Sequence, residues 1–350
     1  MKKTLVIILG QARADKLTWD NFNKYVLNEL DADLALCIGE SDLNSEKNNF
    51  WKNAEFKWVH TEYQDYGIAY DELQKKIISD TSINLPNWRR LMRIGSDWLG
   101  SIKDVNEQPG SSGLLLYFKW HLMNHLMDEE ILEKYDWFVI TRSDFIWELP
   151  HPPIAFFKNH EIGLPYGEHY GGYSDRHVVM KKETIKGYFG IIEPILKNPE
   201  KLYSEMEFYN KWNHEKYIYH RIKTDLAMLK IKYMPYMMYS VREFDTHTTW
   251  SHGKFSEHMG LYIKYDSEYY SASTSKKIMK ICRNWNNLFA TILFSNIIIR
   301  IIFIINRPYE DLRFRVSYFL NKKNKKYLNI FNKIYNLIQK FYHYSKNLIT

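Results

Sequence analysis

The sequence predicts an α/β fold in which a mixed, mainly parallel sheet is flanked by helices. The first observation is the order strand, helix, strand within forty residues, at 4–9, 18–30 and 33–38, which is typical of neighbouring parallel strands. The second is the run Trp137–Thr141, whose β-branched and aromatic residues follow one another as in a strand buried on both faces. The third is size and composition: 350 residues, 45% of them hydrophobic, can bury a large core as one domain or two.

Weaker patterns extend this assignment along the chain. They predict further strands at 56–60, 178–180 and 231–239, and helices at 114–127, 183–196 and 205–229. Residues 61–113 contain aromatic side chains, an arginine-rich patch and a loop-like Gln-Pro-Gly-Ser-Ser-Gly segment, and their pattern favours no single structure. The helix pattern directly before the buried run adds another helix–strand step to the same sheet.

The first predicted strand ends in Gly10-Gln11-Ala12-Arg13, a turn with one glycine and one cationic side chain. Such a turn, at the carboxyl end of a first parallel strand, can contact a phosphate or a ribose. It lacks the second and third glycines of a dinucleotide-binding motif and the lysine of a P-loop. Neither of those two nucleotide sites is therefore predicted.

Arg142, Ser143 and Asp144 follow the buried run directly, where that strand reaches the surface. Charged side chains at such a point are costly to desolvate unless they meet a ligand, a metal ion or each other. In open α/β sheets, the carboxyl ends of the strands are where ligands bind. Arg142 and Asp144 are therefore candidate ligand-binding residues, and a structural salt bridge between them is the alternative.

Two later loops contain further candidate side chains. Residues 164–177 combine glycine and proline with three tyrosines and an Asp175-Arg-His run, which suits either a substrate-binding loop or an ordinary surface loop. Residues 244–258 contain three histidines in a polar and aromatic setting, namely His247, His252 and His258. Binding and catalytic residues concentrate on loops of this kind.

Positive charge is concentrated near the C-terminus. Residues 276–350 hold 15 Lys and Arg against two acidic residues, a net charge of +13, and residues 1–275 carry the remaining −6 of the total +7. The apolar stretch 288–305 within this tail is interrupted by Asn296 and Arg300. An arginine near the middle of a membrane span costs about 2.5–3.5 kcal/mol on insertion scales. Adsorption of the tail to an anionic membrane surface is therefore favoured over a true span or a plain buried helix.

We therefore predict a ligand-binding, catalytic domain at 1–270 and a basic, apolar helical tail at 271–350. The two cysteines, Cys37 and Cys282, have no CxxC or zinc-like spacing, which favours a reduced, cytoplasmic setting. The apolar run at the N-terminus is shorter than the ~7 to 15 residues of a signal-peptide core and is better explained as a strand. The expected location is cytoplasmic, peripheral on the inner face of the cytoplasmic membrane. Nucleic acid is not an expected partner, since no RNA-binding motif accompanies the basic tail.

A resemblance to the glycosyltransferases of bacterial surface-polysaccharide loci, of the capsule and lipopolysaccharide type, rests on four short motifs. They are Ile-Leu-Gly-Gln-Ala-Arg13, Phe118-Lys-Trp120, Tyr135-Asp136 and Arg142-Ser-Asp144. Those enzymes resemble the GT-A fold, in which an Asp-x-Asp motif after a core strand binds a metal ion and the diphosphate of a nucleotide sugar. The resemblance covers roughly residues 1–265 and implies a GT-A-like fold, a nucleotide-sugar donor and a glycan or glycolipid acceptor.

This chain departs from the family pattern, because Arg142 stands where the motif has its first acid. Asp144 matches the second acid and could bind a divalent cation, Mn²⁺ or Mg²⁺, with His252 or another late histidine as a further ligand. Arg142 could instead pair directly with phosphate oxygens, which leaves metal dependence open. By the same resemblance, Gln11 and Arg13 would contact the nucleotide.

Sugar transfer requires neutralisation of the leaving diphosphate and, for inversion, a carboxylate that deprotonates the acceptor hydroxyl. Asp175, in the Gly/Tyr-rich loop, and Glu215, in the predicted helix 205–229, are the candidate bases; each could otherwise be a helix cap or a solvated charge. Two other functions stay open. One is a non-catalytic carbohydrate-binding or assembly protein on the same scaffold, and the other is a transferase of a phosphate-containing group to a polysaccharide.

Overall fold

A computed structural model describes residues 4–40, 47–79, 84–95, 98–103, 110–226, 228–243, 253–282 and 308–323. Within these ranges the strands are β1 (Thr4–Gly10), β2 (Asp33–Gly39), β3 (Phe56–His60), β4 (Trp137–Thr141), β5 (Phe145–Trp147), β6 (Glu161–Pro165), β7 (Val178–Lys181), β8 (Lys230–Met234), β9 (Met238–Arg242), β10 (Lys254–Ser256) and β11 (Leu261–Ile263). The helices are α1 (Asp15–Phe22), α2 (Asn28–Leu30), α3 (Asn49–Asn53), α4 (Tyr66–Ile77), α5 (Ser112–Asp128), α6 (Ile131–Lys134), α7 (Lys182–Phe189), α8 (Glu193–Lys197), α9 (Pro199–Met206), α10 (His214–Thr224), α11 (Asp266–Cys282) and α12 (Pro308–Lys323). A π-helical segment, Asn23–Leu27, joins α1 to α2, and shorter 3₁₀ segments lie at Trp88–Ile94, Ile154–Phe156 and Gly190–Ile192.

Seven strands form a mixed sheet in the order β3-β2-β1-β4-β7-β6-β8. Strands β3, β2, β1 and β4 are parallel, and β6 is parallel to β8. Strand β7 is antiparallel to both of its neighbours, β4 and β6. The chain adds β2 and β3 on one side of β1 and then returns to place β4 on the other side. The gap between β1 and β4 is therefore a topological switch point, the place where ligands bind in open α/β sheets.

The apolar sequences of β1 and β4 explain their central position. Val6 of β1 pairs with Val139 of β4 on one side and with Leu34 of β2 on the other, and all three side chains are buried. A parallel strand buried on both faces needs helices over the sheet, and α5 packs against β1. The predicted α/β class, with a mainly parallel sheet flanked by helices, is confirmed and is consistent with a GT-A-like fold.

A second, antiparallel sheet has the order β10-β11-β9-β5. Its strand β5 begins directly after Asp144, so the chain passes from the main sheet into the second sheet within three residues of the end of β4. Phe145 of β5 pairs with Ser240 of β9, and the backbone N–H of Val241 donates to the carbonyl of Asp144 at 2.9 Å. This pairing brings the end of β9, and with it Arg242, to the switch point.

The strand predicted at 231–239 is wrong as a single element. The structure divides it into β8 and β9, which belong to different sheets and are separated at Pro235. Proline has no backbone N–H to donate to a ladder, and it restricts the residue before it. The division matters because it moves the C-terminal half of the predicted strand from the main sheet to the second sheet.

The helix predicted at 205–229 is also wrong in its bounds. Helix α9 ends at Met206, and α10 starts only at His214. The side-chain oxygen of Asn213 accepts from the backbone N–H of Lys216 at 2.9 Å, which is an N-cap that the periodicity did not show. Glu215 lies in the first turn of α10, at the start of a helix.

The C-terminal segments that the structure describes pack on the main body. Helix α11 crosses the predicted boundary at residue 270 and contacts β9, with Ala272 fully buried. Helix α12 places Phe314, also fully buried, against the rings of Trp212 and Tyr219, with centroids 5.3 and 5.6 Å away. The division of the chain into two domains stays a prediction.

The apolar stretch 288–305 lies outside the described residues. Among the helices that the structure does describe, none combines the length and the apolar character that a bilayer crossing requires.

Helix α12 offers a direct test of its docking. Phe314→Ala removes a fully buried ring and should destabilise the packed helix by about 3 kcal/mol or more. Phe319→Ala, on the same helix but 56% exposed, should change stability by less than about 0.5 kcal/mol. Urea unfolding, with hydrogen exchange across Pro308–Lys323, measures both; equal effects of the two variants would show that the aromatic contacts do not hold the helix.

Candidate anion-binding site at the switch point

The turn after β1 is tied to the end of β4 by backbone and hydroxyl contacts. Gly10 has φ +111°, a conformation that favours glycine, and it turns the chain at the sheet edge. The backbone N–H of Arg13 donates to the Ser143 hydroxyl at 2.9 Å, and that hydroxyl donates to the carbonyl of Gln11 at 2.8 Å. The Gln11 side chain in turn accepts from Arg13 Nη1 at 2.8 Å. The two strand ends therefore hold Arg13 in a fixed position beside the end of β4.

Asp144 is the common acceptor of three arginines. Arg142 binds it with two hydrogen bonds, from Nε to Oδ1 at 2.8 Å and from Nη2 to Oδ2 at 2.7 Å. Arg13 Nε donates to Oδ2 at 3.1 Å, and Arg242 Nη1 donates to the same oxygen. Asp144 and Arg242 are each only 1% exposed. One buried carboxylate therefore faces three guanidinium groups, which leaves an excess of positive charge at this point.

The pKa directions agree with this charge imbalance. Burial would raise the pKa of Asp144, but the Arg142 and Arg13 guanidinium groups hold it well below its usual range. Burial lowers the pKa of Arg13 to about 10. The charge of Asp144 acts against this shift, and the charges of Arg142 and Arg242 add to it. Burial also lowers the pKa of Arg242, again against the pull of Asp144. The cluster favours additional negative charge.

Arg242 has hydrogen-bonding capacity to spare. Its Nη1 contacts Asp144 and the carbonyl of Val241, but its Nε and Nη2 are buried and have no hydrogen-bond partner among the described residues. A buried donor without a partner costs about 1–3 kcal/mol, and more when it is charged. A water molecule or a ligand that reached these donors would remove this cost.

Lys264 adds a fourth cation. It follows β11, and its backbone N–H donates to the carbonyl of Ser240 at 2.9 Å. Burial, together with the charges of Arg242, Arg142 and Arg176, lowers the pKa of its ammonium group to about 7. The charge of Asp144 acts in the opposite direction and raises this pKa.

A cavity of about 490 Å³ opens beside these side chains. Its cationic wall consists of Arg13, Arg142, Arg242 and Lys264. The remaining lining residues include an apolar group on α5, two carboxylates, and the turns next to β1 and α5: Leu114, Leu115, Phe118, Glu62, Asp144, Leu9, Gly10, Gln11, Ser101, Gly110 and Ser111. A cationic wall beside an apolar one suits a ligand that has both an anionic group and a ring or other uncharged part.

The surroundings of Asp144 do not fit a divalent cation. Both of its carboxylate oxygens already accept from guanidinium groups, and Mn²⁺ or Mg²⁺ would have to displace them against three positive charges. Within the described ranges, no group of three or more His, Cys, Asp and Glu side chains could hold a metal ion. His252 and His247 lie outside those ranges, so the metal site predicted from Asp144 and His252 stays a prediction.

Asp175 belongs to a separate buried cluster on α5, α10 and the Gly/Tyr-rich loop. Lys119 Nζ lies 2.5 Å from Asp175 Oδ2 and 2.6 Å from His214 Nε2, which is itself 2.8 Å from the same oxygen. Burial would raise the pKa of Asp175, but Lys119 and His214 hold it well below its usual range. Asp175 therefore stays ionised beside Lys119 and His214. Its carboxylate is a weak proton acceptor.

Glu215 has the opposite electrostatics. Burial and the nearby charge of Asp175 raise the pKa of Glu215 to about 7. Its position depends on a close approach of the Gly/Tyr-rich loop, since a Cβ on Gly172 would lie 1.9 Å from the carbonyl oxygen of Glu215. The backbone N–H of Tyr173 donates to that same carbonyl at 3.0 Å. Glycine is thus required at 172 for the loop to lie on the first turn of α10.

Arg176 and Glu268 connect this loop to the anion site. Arg176 Nη1 donates to one oxygen of Glu268, which is fully buried on α11. The other oxygen accepts from the backbone N–H of Ser240 at 2.7 Å and from the Ser240 hydroxyl. Because Ser240 precedes Arg242 by two residues in β9, one carboxylate fixes both the loop and the strand that presents Arg242.

The structure brings together four of the residues that the sequence singled out. Gln11, Arg13, Arg142 and Asp144 line one cavity, whereas Asp175 and Glu215 are not among its lining residues. Sequence reasoning missed Arg242 and Lys264. The signal for Arg242 was available, since a charged residue at the end of a buried strand is the pattern that identified Arg142.

Removal of the shared carboxylate should be costly because it leaves three cations uncompensated. Asp144→Ala is expected to lower the free energy of unfolding by about 3–5 kcal/mol. Asp144→Ala combined with Arg242→Met should be less destabilised than Asp144→Ala alone, since it removes one buried charge as well. Asp20→Asn, at an exposed position of α1, is the control. Denaturant unfolding measures the free energy of unfolding of each variant. If the loss in the double variant equals the sum of the losses from the two single substitutions, the shared-charge arrangement is contradicted.

Comparisons with known proteins give a limited result. No protein-family model matches the sequence, and no curated protein matches it. Among solved structures, the chain is similar to mouse xyloside xylosyltransferase 1 in its apo form, with 9% sequence identity, a TM-score of 0.35, and coverage of 67% of this chain and 86% of that one.

Proposed function

We propose that the protein is a glycosyltransferase that moves a sugar from a nucleotide-sugar donor to a surface polysaccharide or lipooligosaccharide acceptor. The observation that supports this most directly is the cluster of Arg13, Arg142 and Arg242 on the wall of a cavity at the switch point, in which Arg242 Nε and Nη2 have no hydrogen-bond partner among the described residues. A nucleotide sugar combines a diphosphate with a base and two sugar rings, and the cavity offers cations beside apolar side chains. The GT-A-like arrangement of the sheet is consistent with such a donor.

Different side chains are proposed to contact the diphosphate and the base or ribose of the donor. Arg142, Arg13 and Arg242 bind the diphosphate, because guanidinium groups pair with phosphate oxygens by charge and by hydrogen bonds; Arg142 does so with the donors that Asp144 does not occupy. Gln11 holds Arg13 and lines the cavity next to it. The apolar α5 wall with Phe118 is the surface against which a base or a ribose packs.

The reaction needs a proton acceptor on the acceptor side. In an inverting transfer, an acceptor oxygen forms a bond to the anomeric carbon of the sugar, and its proton passes to a carboxylate. The bond from that carbon to the diphosphate oxygen breaks, and its electron pair leaves with the nucleoside diphosphate. Glu215 suits the base better than Asp175, since a pKa of about 7 matches a base that works near neutral pH.

The pH profile tests this choice. Glu215 acts only when ionised, so turnover should rise with pH through about 7 and level off above it. Glu215→Gln should lower kcat by about 10² to 10⁴-fold. Glu183→Gln, an exposed glutamate of α7, should leave both the rate and the profile unchanged. Donor hydrolysis and transfer to glycan acceptors are the assays.

An unchanged profile in Glu215→Gln would remove Glu215 from the mechanism while leaving the donor site untouched. Tight nucleotide-sugar binding without any turnover across donors and acceptors would instead favour a non-catalytic carbohydrate-binding protein on this scaffold.

The proposed place of action is the inner face of the cytoplasmic membrane. The support is the net charge of +13 in residues 276–350 together with the apolar stretch 288–305. The full chain should sediment with anionic vesicles and much less with zwitterionic ones, and the binding should weaken as salt rises. Equal sedimentation with both vesicle types, or none, would contradict a charge-driven contact.

A further inference from the structure

Asp144 has an unusual role for a carboxylate at this position. A carboxylate that serves a metal ion presents free oxygen lone pairs to it. Here the Arg142 guanidinium spans both oxygens, and Arg13 and Arg242 share the second one. The carboxylate therefore holds the cations in place instead of offering a free oxygen to a metal ion.

We infer that this chain binds the diphosphate of its donor without a divalent cation, through Arg13, Arg142 and Arg242 held in place by Asp144. The inference rests on the proposed function and deepens it. On this inference, the three arginine side chains neutralise the charge of the diphosphate. Asp144 is then a positioning residue and not a metal ligand.

The charge available in the cavity supports the assignment. Three arginines, Lys264 and two carboxylates line it, so the wall is net positive even when Lys264 is neutral. A diphosphate leaving group gains one negative charge as the bond to the sugar breaks, and positive groups already in place stabilise it without rearrangement. The three guanidinium groups thus supply the positive charge that a bound metal ion supplies in a metal-dependent site.

Geometry also distinguishes the arginines from a structural salt-bridge network. A network that served only stability would satisfy its buried donors internally. Arg142 meets that expectation, with Nε and Nη2 both on Asp144. Arg242 does not, because it is 1% exposed, lines the cavity, and leaves Nε and Nη2 without a partner among the described residues. An anion in the cavity is the group that would complete it.

The second sheet explains how the site is built without Asp-x-Asp. Strand β9 presents Arg242 because it pairs with β5, which starts directly after Asp144. Glu268 fixes β9 from the other side through Ser240. The pairing of β9 therefore sets the backbone position of the third arginine.

The test is calorimetric binding of a panel of nucleoside diphosphates and of inorganic pyrophosphate to the full chain. Each titration is run in excess EDTA and again with Mn²⁺ or Mg²⁺. We expect the best nucleoside diphosphate to bind in EDTA, with a Kd within about threefold of its value in metal. Arg242→Gln, which keeps a polar side chain but loses the charge, should weaken that binding by at least about tenfold, or ~1.4 kcal/mol.

Two further variants distinguish a loss of binding from a loss of folding. Arg13→Gln alters a side chain that is 30% exposed and should weaken binding in the same direction. Arg90→Gln is the matched control, since Arg90 is an exposed arginine paired with Glu200 and does not line the cavity. Its binding should equal that of the unchanged chain.

The possible results of these titrations test the metal-free diphosphate site and the proposed function separately. Nucleoside diphosphate binding that appears only with Mn²⁺ or Mg²⁺ overturns the inference and leaves the proposed function standing. Pyrophosphate binding in EDTA that depends on Arg242, with no nucleoside diphosphate binding more tightly, supports the metal-free diphosphate site and overturns the nucleotide-sugar function. Absence of binding by every ligand under both conditions overturns both.

Discussion

The candidate site depends on one buried carboxylate that three arginines share. Asp144 lies at the end of β4, and its charge compensates part of the repulsion among Arg13, Arg142 and Arg242. Without it, three neighbouring guanidinium groups would be strongly unfavourable. With it, they remain close together and still carry more positive than negative charge. That imbalance gives the cavity its preference for an anion.

The architecture makes such a cluster possible because three parts of the chain meet at the switch point. The turn after β1 contributes Arg13, the end of β4 contributes Arg142 and Asp144, and the second sheet contributes Arg242. Parallel strands place their carboxyl ends on one edge, which is the general reason that ligands bind there. The antiparallel pairing of β5 with β9 is the specific reason that a third arginine reaches that edge.

The separation between the anion site and the Asp175 and Glu215 cluster has a physical consequence. A donor's diphosphate and an acceptor's hydroxyl need opposite environments, one rich in positive charge and one with a carboxylate that can accept a proton. Arg176 and Glu268 link the two through one buried ion pair and through the hydrogen bond from the backbone N–H of Ser240 to Glu268. Within the second cluster, Lys119 and His214 depress the pKa of Asp175, whereas burial raises that of Glu215, so two neighbouring carboxylates have different proton affinities.

The sequence by itself determined the fold class and the central strands, because short, continuous runs of β-branched and aromatic residues such as Trp137–Thr141 are typical of strands buried on both faces. It also placed Arg13, Arg142 and Asp144 directly after two predicted strands, but that these two strands are neighbours was decided by the tertiary structure. Only the tertiary structure decided that Asp144 faces arginines, that Arg242 and Lys264 complete the cavity, and that Asp175 lies outside it. These facts depend on pairing between segments about one hundred residues apart, as in β5 with β9, and hydrophobic periodicity contains no information on that pairing.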